Sequence, residues 1–244
     1  MRAGSVGALA ELGHTERALA ETGSVADRLE ATGDISHFSA RALQLRLLAE
    51  RGTPEQAPNA DALVAAARNV DASVETLVAF AAAARLLLDQ ARPEQARALL
   101  RDLDRLATTT MRASLVPDLP FVLRMVLVLD DPLLAQRLVA GIHAAVPLHE
   151  HALASARAYL AETDGDHNTA AHLYKQAADR WEQFGNVPER AYTLLGQGRC
   201  LSALGKPDAQ DPLRQARELF AAIGYRPALA ETDALLGESE VAVL

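Results

Sequence analysis

His149, Glu150 and His151, with His143 nearby, are the residues whose types come closest to a transition-metal site. A helical metal pair such as His-Glu-x-x-His spaces its rings i, i+4, which puts both on one face. Two residues of separation, just after Pro147, turn the rings to different faces, so a surface or groove-lining role is expected. His167 and His172 show no better pattern. Asp164, Asp166 and Asn168 resemble the opening of a calcium loop, which needs Gly at its sixth position and Glu at its twelfth. Here those positions are Thr169 and Lys175, and the segment reads as a capped turn. Cys200 lacks a Cys-x-x-Cys partner and a base in a recognisable context, so a buried or groove-lining thiol is expected. Gly196-x-Gly198 follows no strand and reads as a close helix-packing site instead of a phosphate loop. No triad motif surrounds any serine. The expectation is a non-catalytic chain with no cofactor and no metal.

The elements that carry these residues are helical. Half of the 244 residues are hydrophobic and only 4% aromatic. Ala, Leu, Arg and Glu are strong helix formers because they lose little side-chain freedom in a helix. Period-two runs of β-branched residues are scarce. The expected class is all-α.

Internal repetition organises these helices. Corners recur at Gly13-His14-Thr15-Glu16-Arg17-Ala18, Gly52-Thr53-Pro54-Glu55-Gln56-Ala57, Arg92-Pro93-Glu94-Gln95-Ala96 and Asp131-Pro132-Leu133-Leu134-Ala135. Their alanines, at 18, 57, 96 and 135, are 39 residues apart, as are the prolines at 54, 93 and 132. Two more corners follow at Gly165–Ala170 and Gly205–Ala209. Gly can end a helix in the left-handed region, Pro suits the first turn of the next helix, and Asp166 can cap one. The small Ala lets two helices approach. Helical pairs are expected over roughly 3–32, 35–70, 73–109, 118–145, 148–184 and 187–223, with a closing helix near 227–236. Ala170, Leu173, Tyr174, Ala177, Trp181 and Phe184 form one apolar stripe at helical spacing. The pattern Ala170, Tyr174, Ala177 recurs as Ala209, Leu213, Ala216, and loosely as Ala135, Val139, Ile142.

This spacing resembles tetratricopeptide repeats, with a unit longer than their usual length of about 34 residues. It is similar to the extended variety in the C-terminal arms of bacterial signal-transduction ATPases, including LuxR-type activators and multidomain proteins with a cyclase domain. The closer likeness lies in Gly185–Ala191, Leu194–Leu201, Leu213–Arg217 and Gly224–Ala230, about a quarter of the chain. The resemblance implies one right-handed α-solenoid of about six antiparallel hairpins over 1–244. It also implies a partner: a peptide, a protein domain or the rest of a longer signalling ATPase or cyclase. No phosphate loop, cyclase domain or helix-turn-helix is present to carry those activities. The first helix begins almost at Met1 without an evident polar cap, so the chain reads as a truncated arm or a short stand-alone relative.

A net charge of −8, with arginines scattered among acids, argues against nucleic acid as the ligand. No apolar run reaches the roughly 20 residues of a membrane span. The lone Cys200 and the absence of a signal-peptide core suit the cytoplasm. In the family resembled, the face carrying Arg190, Thr193, Gln197 and Cys200 lines the concave groove, and His151, Ser155 and Glu162 form a similar stripe one pair earlier. Arg190 is the leading contact because a guanidinium grips a carboxylate bidentately; the plainer alternative is a surface ion pair. Val78–Leu88 and Phe121–Leu129 are apolar on nearly every face. They are either core or a groove, and a pocket closed by Phe80, Phe121 and Met125 would indicate a small-molecule receptor.

Overall fold

The computed structural model describes residues 3–53, 59–69 and 73–241, so Pro54–Ala57 of the second corner lies outside the described residues. Among the described residues all regular structure is helical: α1 (Ala3–Glu11), α2 (Thr15–Ala31), α3 (His37–Glu50), α4 (Ala60–Arg68), α5 (Val74–Asp89), α6 (Pro93–Leu106), α7 (Thr109–Leu115), α8 (Leu119–Val128), α9 (Pro132–Val139), α10 (Pro147–Thr163), α11 (His167–Phe184), α12 (Val187–Ala203), α13 (Gln210–Ile223) and α14 (Arg226–Val241). No helix among the described residues is long and apolar enough to cross a membrane.

The corners form for local reasons. Gly165 takes φ 79°, and the Asp166 carboxylate accepts the Thr169 amide at 3.0 Å, starting α11. Two corners lack glycine and place Ala91 (φ 55°) and Asp130 (φ 51°) in the left-handed region. Asp131 then caps α9 by accepting the Leu134 amide at 3.1 Å. The corner alanines Ala18, Ala96, Ala135, Ala170 and Ala209 are all buried, where any larger side chain would separate the helices.

Three expectations are corrected. Helix α7 lies between two of the expected helical pairs; Thr108 caps it, and Arg112 ties it to Asp104 at 2.7 Å and to the Arg137 carbonyl at 3.0 Å. Helix α9 stops at Val139 and Gly141 turns the chain at φ 73°, so Ile142 lies beyond the helix. Phe184, expected on the buried stripe of α11, is 42% exposed, whereas Tyr174 and Trp181 are buried.

Packing explains why α5 and α8 are apolar all round. Helix α5 touches α3, α4, α6, α7 and α8, while α8 touches α5, α9 and α10, so both are core helices. A continuous series runs α3, α5, α8, α10, α12, α14, each against the next, and α14 returns to α3 while α1 reaches α12. The N-terminal helices α1 and α3 thereby meet the C-terminal helices α12 and α14.

The Gly196/Gly198 site is a close helix approach. A Cβ on Gly196 would sit 2.6 Å from the Tyr174 ring, and one on Gly198 2.4 Å from the Leu213 side chain. Tyr174 cannot swing aside freely, since its hydroxyl donates to Glu162 at 2.5 Å. Gly196→Ala is expected to cost about 1–3 kcal/mol in stability despite alanine's better helix propensity. Thermal melting checks this; an unchanged or raised midpoint would show that the α11–α12 contact is loose.

Candidate ligand-binding site

The closure between the chain ends is built from buried charge. Glu189 stands in the first turn of α12, where Asn186 accepts its backbone amide at 3.0 Å. Its carboxylate, 5% exposed, receives both terminal nitrogens of Arg124 at 2.7 and 3.0 Å, and Arg46 at 3.4 Å. Burial raises the Glu189 pKa, but the charge and hydrogen bonds of Arg124 outweigh it and hold the group below the usual glutamate value. Arg124 also lies 3.9 Å from the centre of the Tyr192 ring, a cation–π contact. The Tyr192 hydroxyl donates to Glu50, which faces Arg85 at 3.5 Å. Side chains of α3, α5 and α8 are thereby fastened to α12.

Beside this network lies a cavity of about 350 Å³, within the range of small-molecule sites. Its walls come from α1 (Val6, Gly7, Ala10, Glu11), α2 (Thr22, Val25), α3 (Ser39, Ala40, Ala42, Leu43, Arg46, Leu47) and α5 (Val78, Ala81, Ala82). Asp118, Phe121, Asn186, Pro188 and Tyr225 complete them. The space exists because Gly7, Ala10, Ala40, Ala81 and Ala82 stand on facing helices where larger residues would fill it. The polar side centres on Arg46, 4.6 Å from the Phe121 ring centre and 3.6 Å from Asp118. Burial pushes the Asp118 and Glu11 carboxyls up, with Arg46 opposing in both cases. Asp118 is half-buried, with about a third of its side chain accessible, and it borders the cavity.

A second cavity of about 270 Å³ lies among α5, α8, α12 and α14. It shows three guanidiniums, but each is matched: Arg85 by Asp89, Arg124 by Glu189, Arg199 by Glu162 and Glu231.

The residues expected on the concave stripes are placed differently. Thr193 is buried and its hydroxyl donates to the carbonyls of Glu189 and Arg190, both at 2.9 Å. Cys200 is buried, and burial, then the Glu162 charge, pushes its thiol up to about 12, the direction that disfavours the thiolate. Ser155 is buried and accepts the Trp181 indole N–H at 2.7 Å. Glu162 is buried under Tyr174 and Arg199, the latter at 2.6 and 2.9 Å. His151 is half-buried against the Trp181 and Phe184 rings, and burial lowers its pKa with help from Arg180. Arg190 pairs with Glu182 at 2.7 Å, and Gln197 is half-buried. None of these seven borders the larger cavity. Phe121 does, but Met125 borders the second cavity and Phe80 neither, so the three expected to close one pocket do not share it. Among the described residues no three His, Cys, Asp or Glu side chains converge as a metal site; His149 accepts the Ala145 amide at 3.4 Å.

Sequence reasoning missed Glu11, Arg46, Asp118 and Asn186. Only Asn186 had a local signal, since Asn-x-x-Glu before an apolar run marks a helix start. No protein-family model, curated protein or solved structure matched this chain.

Proposed function

We propose that the chain is a non-catalytic binding module, a tetratricopeptide-like α-solenoid of about six hairpins whose open-sided cavity receives a small amphipathic ligand. Its place would be that of a regulatory arm, engaging a protein partner or the rest of a longer signalling ATPase or cyclase and changing that engagement when the ligand binds. The observation that carries this reading is the cavity of about 350 Å³ with apolar walls and one charged side. The stripe residues weigh against an open polar groove, because Ser155, Glu162, Thr193 and Cys200 are buried and occupied with neighbours. A second reading, a peptide or protein docked directly, is favoured by two exposed apolar residues at the α8–α9 corner, Val128 (74%) and Leu133 (66%).

Nile red, an uncharged apolar dye, tests the two readings by fluorescence titration. The cavity reading expects saturable binding that Leu43→Trp weakens about tenfold or more by filling the space, with helicity unchanged and Leu133→Ser without effect. Loss of binding in Leu133→Ser but not in Leu43→Trp would move the site to the α8–α9 corner.

A further inference from the structure

We infer that α1 is a flap on this cavity, held down by the ligand and lifting from α12 more readily without it. The inference rests on the cavity being a ligand site and adds how that site is regulated.

Helix α1 is weak by itself. It has 9 residues, and glycine stands at positions 4 and 7. Isolated helices shorter than about 12–15 residues are marginal in water, and an interior glycine weakens a helix further through the backbone freedom it gives up. Packing must therefore hold α1, and that packing is slight. Its main neighbours are α2 and α12. Among the described residues it makes no hydrogen bond or ion pair with another element beyond the turn that joins it to α2. Val6 and Ala10 sit in a small apolar cluster with Ala18, Val25, Ala40 and Leu47, apart from the main core. Helix α3, by contrast, is tied to α12 by Glu50 with Tyr192 and by Arg46 with Glu189.

The cavity lies where α1 lacks support. Val6, Gly7, Ala10 and Glu11 form one wall of it, and a Cβ on Gly7 would meet nothing within 4 Å. The corner after α1 rests on an apolar ledge, since a Cβ on Gly13 would sit 2.9 Å from the Ile223 side chain and 3.5 Å from that of Val187. A ligand filling the space touches Val6 and Ala10 only while α1 is down. It therefore binds that form more tightly and draws the equilibrium towards it. Lifting α1 frees Gly13 from Val187 and Ile223, so occupancy of the cavity decides whether the ledge is covered. Few buried apolar contacts and no polar ties are the marks of a segment that opens locally, and ligand-responsive lids are drawn from such segments.

The test is hydrogen–deuterium exchange of the full chain, read by mass spectrometry with and without Nile red. In the free chain the amides of residues 7–13 are expected to exchange much faster than those of residues 42–50 in α3. A ligand that binds only the closed form suppresses opening in proportion to its concentration over Kd. Free Nile red at about ten times its Kd should therefore slow exchange at residues 7–13 about tenfold. Val187→Ala trims the ledge without touching the cavity wall; it should speed that exchange and weaken Nile red about twofold or more. Saturable Nile red binding with exchange at residues 7–13 unchanged would overturn the flap and leave the cavity as a ligand site. Exchange at residues 7–13 already as slow as in α3, or Val187→Ala with faster exchange and equal affinity, would overturn it too. Failure of Nile red to bind the parent chain would overturn the cavity reading itself and the flap with it.

Discussion

Replacing Arg124 with alanine is expected to reduce the unfolding free energy by about 3–5 kcal/mol, because it leaves the Glu189 carboxylate buried without its main partner. Arg46 remains at 3.4 Å but is shared with Asp118, so compensation is partial. The effect has a pH signature. In the parent, the folded-state pKa of Glu189 lies below its unfolded value. Its contribution is therefore fully present above the ordinary glutamate range and is lost as pH falls through the depressed folded value. In the variant the burial penalty is no longer outweighed, so protonation relieves the stranded charge. The gap between parent and variant should narrow on acidification, measured by urea denaturation at neutral and acid pH. A loss under about 1 kcal/mol would mean that the α8–α12 closure is solvated. Exchanging both partners for apolar residues, as in Arg124→Met with Glu189→Leu, should cost far less than either single change, since it is the unpaired charge that is expensive.

Trp181→Ala is expected to destabilise the protein by about 3–5 kcal/mol through cavity formation. The ring is 1% exposed, lies 5.4 Å from His151 and 5.9 Å from Phe184 between centres, and donates its indole N–H to Ser155. Removing it also leaves the Ser155 hydroxyl buried and without its donor. Calorimetric melting reads the change, and a midpoint shift near zero would contradict the register assigned to α11.

What was legible in the sequence is what local chemistry decides. The helical class follows from composition, and the Asp166 cap and the buried corner alanines follow from signals only a few residues long. Helix α7 was missed because it is only 7 residues long, so Met111 and Leu115 give too short a period to mark it, and its position depends on Arg112 reaching Asp104 and Arg137. The α12 stripe was drawn from helical spacing, which says that Thr193 and Cys200 share a face but not what that face meets. Helix α12 touches α1, α10, α11, α13 and α14, so little of its surface is free. The site itself was hidden for a stronger reason. Arg124 and Glu189 are 65 residues apart, Glu50 and Tyr192 are 142 apart, and Arg46 and Glu189 are 143 apart. No periodicity within one helix encodes such pairs, and the cavity exists only where those distant segments come together.

The most direct measurement of the account's central claim is a methyl-resolved NMR titration of the full chain with Nile red. The cavity account predicts saturable shifts at the methyl groups of Val6, Val25, Leu43, Leu47 and Val78, with Leu127, Val128 and Leu195 of the second cavity undisturbed. Shifts confined to Leu127, Val128, Leu133 and Leu195, or no saturable shifts at all, would contradict it.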